Sequence, residues 1–133
     1  MPKTTYLANF VLDTVLGGTT FTQPGTVYVA LFTVTPTIAG TGGTEVSGGS
    51  YARATVTNNG TNWTTASAGS KNNATTITFA TPSAGWGTVI SFGIYDSLTS
   101  GNLLYFGTLS TAKPITTSDA VSFGVGTLVI TES

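Results

Sequence analysis

The sequence predicts an all-β domain, an antiparallel β-sandwich with a jelly roll as one arrangement of its strands, carrying one short N-terminal helix. Three observations lead there. After Gly18 the apolar residues alternate or run together over strand-length stretches rich in Val, Ile, Thr and aromatics. Glycine, asparagine and proline break these stretches at short intervals, the spacing of turns in sandwiches and barrels. Only one segment, Thr4 to Leu16, places apolar residues at helical spacing. At 133 residues the chain is long enough for one core, so residues 1–133 are expected to form a single domain.

The helix is expected over residues 4–16, because Leu7, Phe10, Val11 and Val15 follow the i, i+3, i+4, i+8 rule. Thr4 or Thr5 can cap its first amides, and Gly17-Gly18 can supply the positive φ that ends it. Its apolar stripe is expected to pack on the sheet or plug one end of it, with docking onto a partner as the other reading.

Strands are expected at roughly Thr26 to Val34, Tyr51 to Thr57, Thr75 to Ala80, Val89 to Asp96, Leu103 to Leu109 and Val121 to Thr131. The last is two strands or one bent strand, since Gly124 and Gly126 interrupt it. Short extra strands fit between Thr61 and Ser70. The runs from Val89 and from Leu103 are apolar at nearly every position, which implies cover on both faces. Joined by the turn-rich stretch Asp96 to Asn102, they form a central hairpin. One helix can cover only part of a sheet. The outer face is expected to lie under the chain's own elements, the favoured reading, or against another subunit; an apolar surface left open around Ile90, Phe92, Ile94, Leu104 and Phe106 would point to a homotrimer, the oligomer expected.

Residues 35–50 read as a long glycine-rich loop, expected to be mobile in the free subunit and to gain order in an assembly. Trp63 follows the polar stretch Asn58 to Asn62 and either anchors it to the core or projects as a contact residue. The indole of Trp86 is expected to close one end of the sandwich.

The chemistry on offer is narrow. Charged residues make up 7% of the chain, against roughly 25% in an average soluble protein, while 40% is apolar and the net charge is -1. Such a chain folds rather than staying disordered. Its basic residues, Lys3, Arg53, Lys71 and Lys113, are spread out, so there is no stripe for nucleic acid. No apolar run approaches the ~20 residues of a membrane helix, and no membrane partner is expected. The N-terminal segment lacks the pattern of a secretory signal. Without cysteine there are no disulfides and no thiolate chemistry, and without histidine the usual general base and metal ligand are missing. The acids Asp13, Glu45, Asp96, Asp119 and Glu132 fall in no catalytic motif. Gly40 to Gly49 lacks the Gly-Lys-Ser/Thr ending of a phosphate loop. The Asn-x-Thr triplets at Asn59, Asn62 and Asn73 read as chance in so Asn- and Thr-rich a chain. No cofactor or metal is expected.

Three stretches carry a family likeness: Gly43-Thr44-Glu45-Val46-Ser47-Gly48-Gly49-Ser50-Tyr51-Ala52-Arg53, Trp86-Gly87-Thr88-Val89-Ile90-Ser91-Phe92-Gly93-Ile94-Tyr95-Asp96, and Gly101-Asn102-Leu103-Leu104-Tyr105-Phe106-Gly107-Thr108-Leu109. In this order and spacing, after a helix leading through Gly17-Gly18 to a strand, the chain resembles small virion proteins of tailed bacteriophages, variously labelled tail fibre proteins or head decoration (cement) proteins. The resemblance implies a virion component assembled in the cytoplasm of a bacterial host. Its first reading is a capsid decoration protein, a homotrimer bridging subunits of the major capsid protein. The alternative is a tail or tail-fibre-associated module, partnered by a tail protein, with Trp63 among Asn58, Asn59 and Asn62 as a glycan contact. A secreted carbohydrate-binding module or a small enzyme is the reading from another class.

Candidate partner-interface residues are Trp63, Glu45, Arg53, Phe92 and Phe106. The planar fork of Arg53 near a strand start can bind Glu45 across the loop base or a neighbouring subunit, and the first is favoured. With scattered acids and neither histidine nor cysteine, the purified protein should hydrolyse none of a panel of peptide, ester and glycoside substrates. Turnover abolished by changing Asp96 or Asp119 would refute this.

Overall fold

The computed structural model describes residues 3–132. Among them one helix, α1 (Thr5–Gly17), is followed by nine strands: β1 (Thr26–Val34), β2 (Thr44–Glu45), β3 (Ala54–Thr57), β4 (Ser70–Asn72), β5 (Ile77–Thr78), β6 (Gly87–Tyr95), β7 (Leu103–Ile115), β8 (Ser122–Phe123) and β9 (Val129–Thr131). The main sheet runs β2-β1-β6-β7, and β3 shares with β2 the outer edge of β1. Two ribbons, β4 with β9 and β5 with β8, complete the sandwich-like fold. Every strand pair is antiparallel.

Register sorts the side chains of the central strands between two faces. Val29 stands opposite Ile94 and Leu31 opposite Phe92. These residues face the ribbons, where they join a core with Trp63, Ile77, Phe79, Leu128 and Ile130. On the other face Ala30 stands opposite Gly93, which in turn pairs with Phe106. A Cβ at Gly93 would lie 2.7 Å from Leu103 Cδ1 and 2.9 Å from Phe32 Cε2, so these side chains lie flat across a strand that only glycine leaves low enough. Gly40 from the loop rests over Leu103, and Leu7 of α1 is buried.

Of the two covers expected for this hairpin the chain's own is the one found, and the open patch is corrected: Phe92, Ile94, Leu104 and Phe106 are buried inside the subunit and Ile90 is half-buried. Phe92 and Ile94 are covered by the ribbons, while on the other face the first turn of α1 and the loop at Gly40 come over β7.

The segment 35–50 is also more structured than its glycines suggest. It carries β2, a turn closed by Gly40 N to Thr37 O (2.8 Å) and Thr37 N to Thr41 O (2.8 Å), and a link from Val46 N to Leu31 O (3.0 Å). β3 begins at Ala54 rather than Tyr51, because along this edge Leu31 N donates to the Tyr51 hydroxyl (3.0 Å) instead of to backbone. The pairing of β7 with β6 runs on to Ile115, well past Leu109. The C-terminal stretch is two strands, as its glycines allowed, with Gly126 at a φ of 77° in the turn between them.

Thr4 caps α1 with its hydroxyl oxygen, which accepts from Leu7 N, and Gly18 ends the helix with a φ of 68°. The same hydroxyl donates to Leu103 O at 2.6 Å, and Thr4 N donates to Leu104 O at 2.9 Å. The helix is thus pinned to the sheet by its first turn. Beyond it, residues 11–20 are exposed throughout.

Asn73 links the second layer. It is fully buried; its amide donates to Thr75 O (2.9 Å) and Gly124 O (2.9 Å), and its Oδ1 accepts from Leu128 N (3.0 Å). Replacing it strands one buried backbone group, Leu128 N, and two half-buried ones, Thr75 O and Gly124 O, each costing about 1 kcal/mol. Asn73→Ala should therefore destabilise the fold by about 3 kcal/mol, read as a lowered urea midpoint at unchanged slope. A loss under about 1 kcal/mol would show that the amide is not the link between the two ribbons.

Candidate interaction surfaces

The densest polar cluster forms where the loop base meets the central hairpin. Glu45 on β2 and Arg53 just before β3 are eight residues apart, and the intervening turn folds them together. That turn runs through three successive left-handed residues, Gly48 (φ 74°), Gly49 (57°) and Ser50 (65°). Gly49 admits no side chain: its conformation disfavours one, and a Cβ would sit 2.7 Å from Ala84 O. The Gly49 carbonyl accepts from the Trp86 indole at 2.9 Å, which closes this end of the core.

Arg53 uses its whole fork. Its Nε donates to Glu45 Oε2 (2.9 Å), one terminal nitrogen donates to Glu45 Oε1 (2.9 Å), and the other donates to Ser97 O and Ser100 O (both 2.8 Å). The guanidinium also stacks 3.6 Å from the Tyr95 ring centroid. The Tyr51 hydroxyl donates to Glu45 Oε2 at 2.6 Å. Both carboxylate oxygens are thereby occupied, and the cluster locks the hairpin loop 96–102 to the base of the long loop. Burial works against the Arg53 charge, but the Glu45 bonds outweigh it and hold its pKa above the ordinary value. Burial, reinforced by Glu45, pushes the Tyr51 phenol well above the usual tyrosine range. Burial likewise raises Tyr95. An open cleft of about 380 Å³ lies beside the cluster, edged by Leu98, Thr99 and Ser100.

A second polar tie joins the two ends of the described chain. Lys3 pairs with Glu132, and the Tyr105 hydroxyl donates to Glu132 Oε2 at 2.6 Å. Burial alone would raise the Glu132 carboxyl, but the bonds from Lys3 and Tyr105 hold it below the usual range. Burial and the same bond to Glu132 push Tyr105 up.

Of the five residues expected at an interface, the structure joins Glu45 and Arg53 within one subunit. The other three are corrected: Trp63, Phe92 and Phe106 are buried in the subunit, the first two in the core shared with the ribbons and Phe106 on the opposite face of the sheet beside Gly93. Trp63 anchors the Asn-rich excursion, with its indole N–H buried and without a hydrogen-bond partner. Asn58, Asn59 and Asn62 turn to backbone instead: Asn58 binds Pro24 O, Asn59 accepts from Thr61 N and Asn62 N, and Asn62 binds Thr57 O. The aromatic contact imagined for a glycan is not on the surface of the subunit.

The surface that the sequence reading offered only as its second choice is on α1. Only Leu7 of its apolar residues is buried, whereas Val11, Leu12, Val15 and Leu16 are 38%, 56%, 72% and 81% exposed. The signal was present in Leu12 and Leu16, which widen the apolar arc beyond what one contact with a sheet can cover.

A family model described as "Podophage GP4 fiber I protein gp80" matches residues 2–131. No curated protein matches the chain.

The Arg53 cluster gives a direct stability test. Lysine keeps the charge but cannot bind a carboxylate and two carbonyls at once, so Arg53→Lys should cost about 2 kcal/mol in chemical denaturation. In a double-mutant cycle with Glu45→Gln the two changes should be strongly non-additive. Additive effects would mean that the pair is not coupled.

Proposed function

The chain belongs to the podophage GP4 fiber I protein gp80 family, which makes it a bacteriophage virion structural protein, and from this we propose that it works in the tail-fibre apparatus without catalysing a reaction. The family match over residues 2–131 carries the reading. Of the two placements open from the sequence, shell decoration and tail fibre, the family favours the tail.

The make-up of the molecule supports a part that packs and stays. Charged residues are depleted in the cores of protein interfaces, and here they make up 7% of the chain. Four of the five acids serve structure. Asp96 accepts from Asn102 N (2.8 Å), Asp119 accepts from Thr116 N (2.7 Å), and Glu45 and Glu132 are tied as above. A role as a subunit among copies of itself and a tail protein follows from the same reading.

Side-chain-resolution imaging of purified particles tests it. Density for this chain on the tail is the expected result. Density on the icosahedral shell would overturn the tail placement in favour of decoration, and absence from the particle would overturn the virion role.

A further inference from the structure

We propose that the cavity between the first turn of α1 and the ribbon β4·β9 is a binding site for a small amphipathic carboxylate, an apolar chain or ring with one acidic head. The site does not depend on where in the particle the chain works, so it goes beyond the tail-fibre reading.

The cavity exists because the cover runs out at this end of the sheet. Strands β4 and β9 are three residues long, and the linker between α1 and β1 crosses here without regular structure. The opening has a volume of about 280 Å³. Its inner wall is made by otherwise buried side chains, Val27, Trp63, Ile94 and Ile130 from the core, with Leu7 and Leu104 from the helix side. A wall of this kind gains by exchanging water for an apolar body. A sugar is a poor fit, since aliphatic walls strand its hydroxyls. With ~30 Å³ as the share of one water in the liquid, there is room for about ten non-hydrogen atoms. That suits a medium-length chain or a single substituted ring.

The rim selects the head group. Gln23 and Asn58 supply amides, which serve charged and neutral ligands alike. Lys71 brings the charge. It stands opposite Ile130 in the β4·β9 register, so the two side chains share the face that borders the opening. Glu132, two residues beyond Ile130, is already taken: it pairs with Lys3 and accepts from the Tyr105 hydroxyl. Among the described residues no carboxylate pairs with Lys71. The Lys3–Glu132 pair is neutral as a unit, so the rim keeps one uncompensated positive charge, and a ligand carboxylate is its complement. Trp63 in the wall also holds a buried N–H without a partner, and such a donor gains from any acceptor brought within reach.

Amide correlation spectra of the isotope-labelled protein, titrated with sodium octanoate, test the site. Saturable shifts are expected at the Trp63 indole and at the amides of Lys71 and Ile130, with a Kd on the order of 10⁻⁴ M for a ligand of this size. The indole of Trp86, which does not line the cavity, should stay unmoved. Octanol keeps the chain and lacks the charge, and should bind about fivefold more weakly. Lys71→Gln, at an exposed position, should weaken octanoate by about the same factor while leaving octanol binding and the melting temperature unchanged. Lys113→Gln, outside the cavity, should alter neither ligand. No saturation by about 10 mM octanoate, a hundred times the expected Kd, or shifts confined to Trp86, would overturn the site. Octanol binding as tightly as octanoate, or an octanoate affinity untouched by Lys71→Gln, would overturn the carboxylate as its ligand.

Discussion

The central strands β1, β6 and β7 are apolar on both faces, and almost everything else in the fold is arranged to keep water from those faces. On one side the ribbons β4·β9 and β5·β8 lay Trp63, Ile77, Phe79 and Leu128 over Val29, Leu31, Phe92 and Ile94. On the other the described residues form no second sheet, and the chain improvises. Phe32 and Leu103 lie down over Gly93, the glycine-rich loop comes across Leu103, and the first turn of α1 is tied in by Thr4. A sheet buried on both faces reads as a continuous apolar run rather than an alternating one. Its cover has to come from elements with little regular structure of their own.

Such cover is held in place by neutral hydrogen bonds more than by charge. With no disulfide available and few ions, the loops are fastened by buried polar groups whose partners are all supplied, Asn73 and the Gly49–Trp86 link being the clearest. A buried polar group that is fully satisfied specifies one arrangement, since every alternative leaves a donor or acceptor stranded. The Arg53–Glu45 pair follows the same logic with charge added. Breaking such a pair is costly even where forming it contributes little net stability, so the pair acts chiefly to choose where the hairpin loop sits.

The balance between covered and uncovered apolar surface connects the fold to its place in a virion. The subunit closes over its central hairpin and leaves one helix uncovered. A virion subunit needs a core that folds before assembly, which the sheet supplies here, and the exposed apolar surface lies on a different element. The sheet can be stable in the free chain while α1 remains available, because only the first turn of α1 contributes to the subunit core.

Much of this could be read from residue order. The existence and type of α1, β1, β6 and β7, the hairpin between the last two, the Thr4 cap and the glycine stop all follow from local periodicity and turn chemistry, which are properties of neighbouring residues. The bond between Arg53 and Glu45 was also within reach, because only eight residues separate them. What tertiary structure alone decided was which apolar residues end up inside. Phe92 and Phe106 looked like contact residues and are buried, Trp63 could have been either and is a core anchor, while Val15 looked like core and is exposed. Periodicity assigns a side chain to a face, but burial depends on what lies opposite that face. Here the cover comes from a loop of low regularity and from ribbons of two or three residues per strand, which carry almost no local signal.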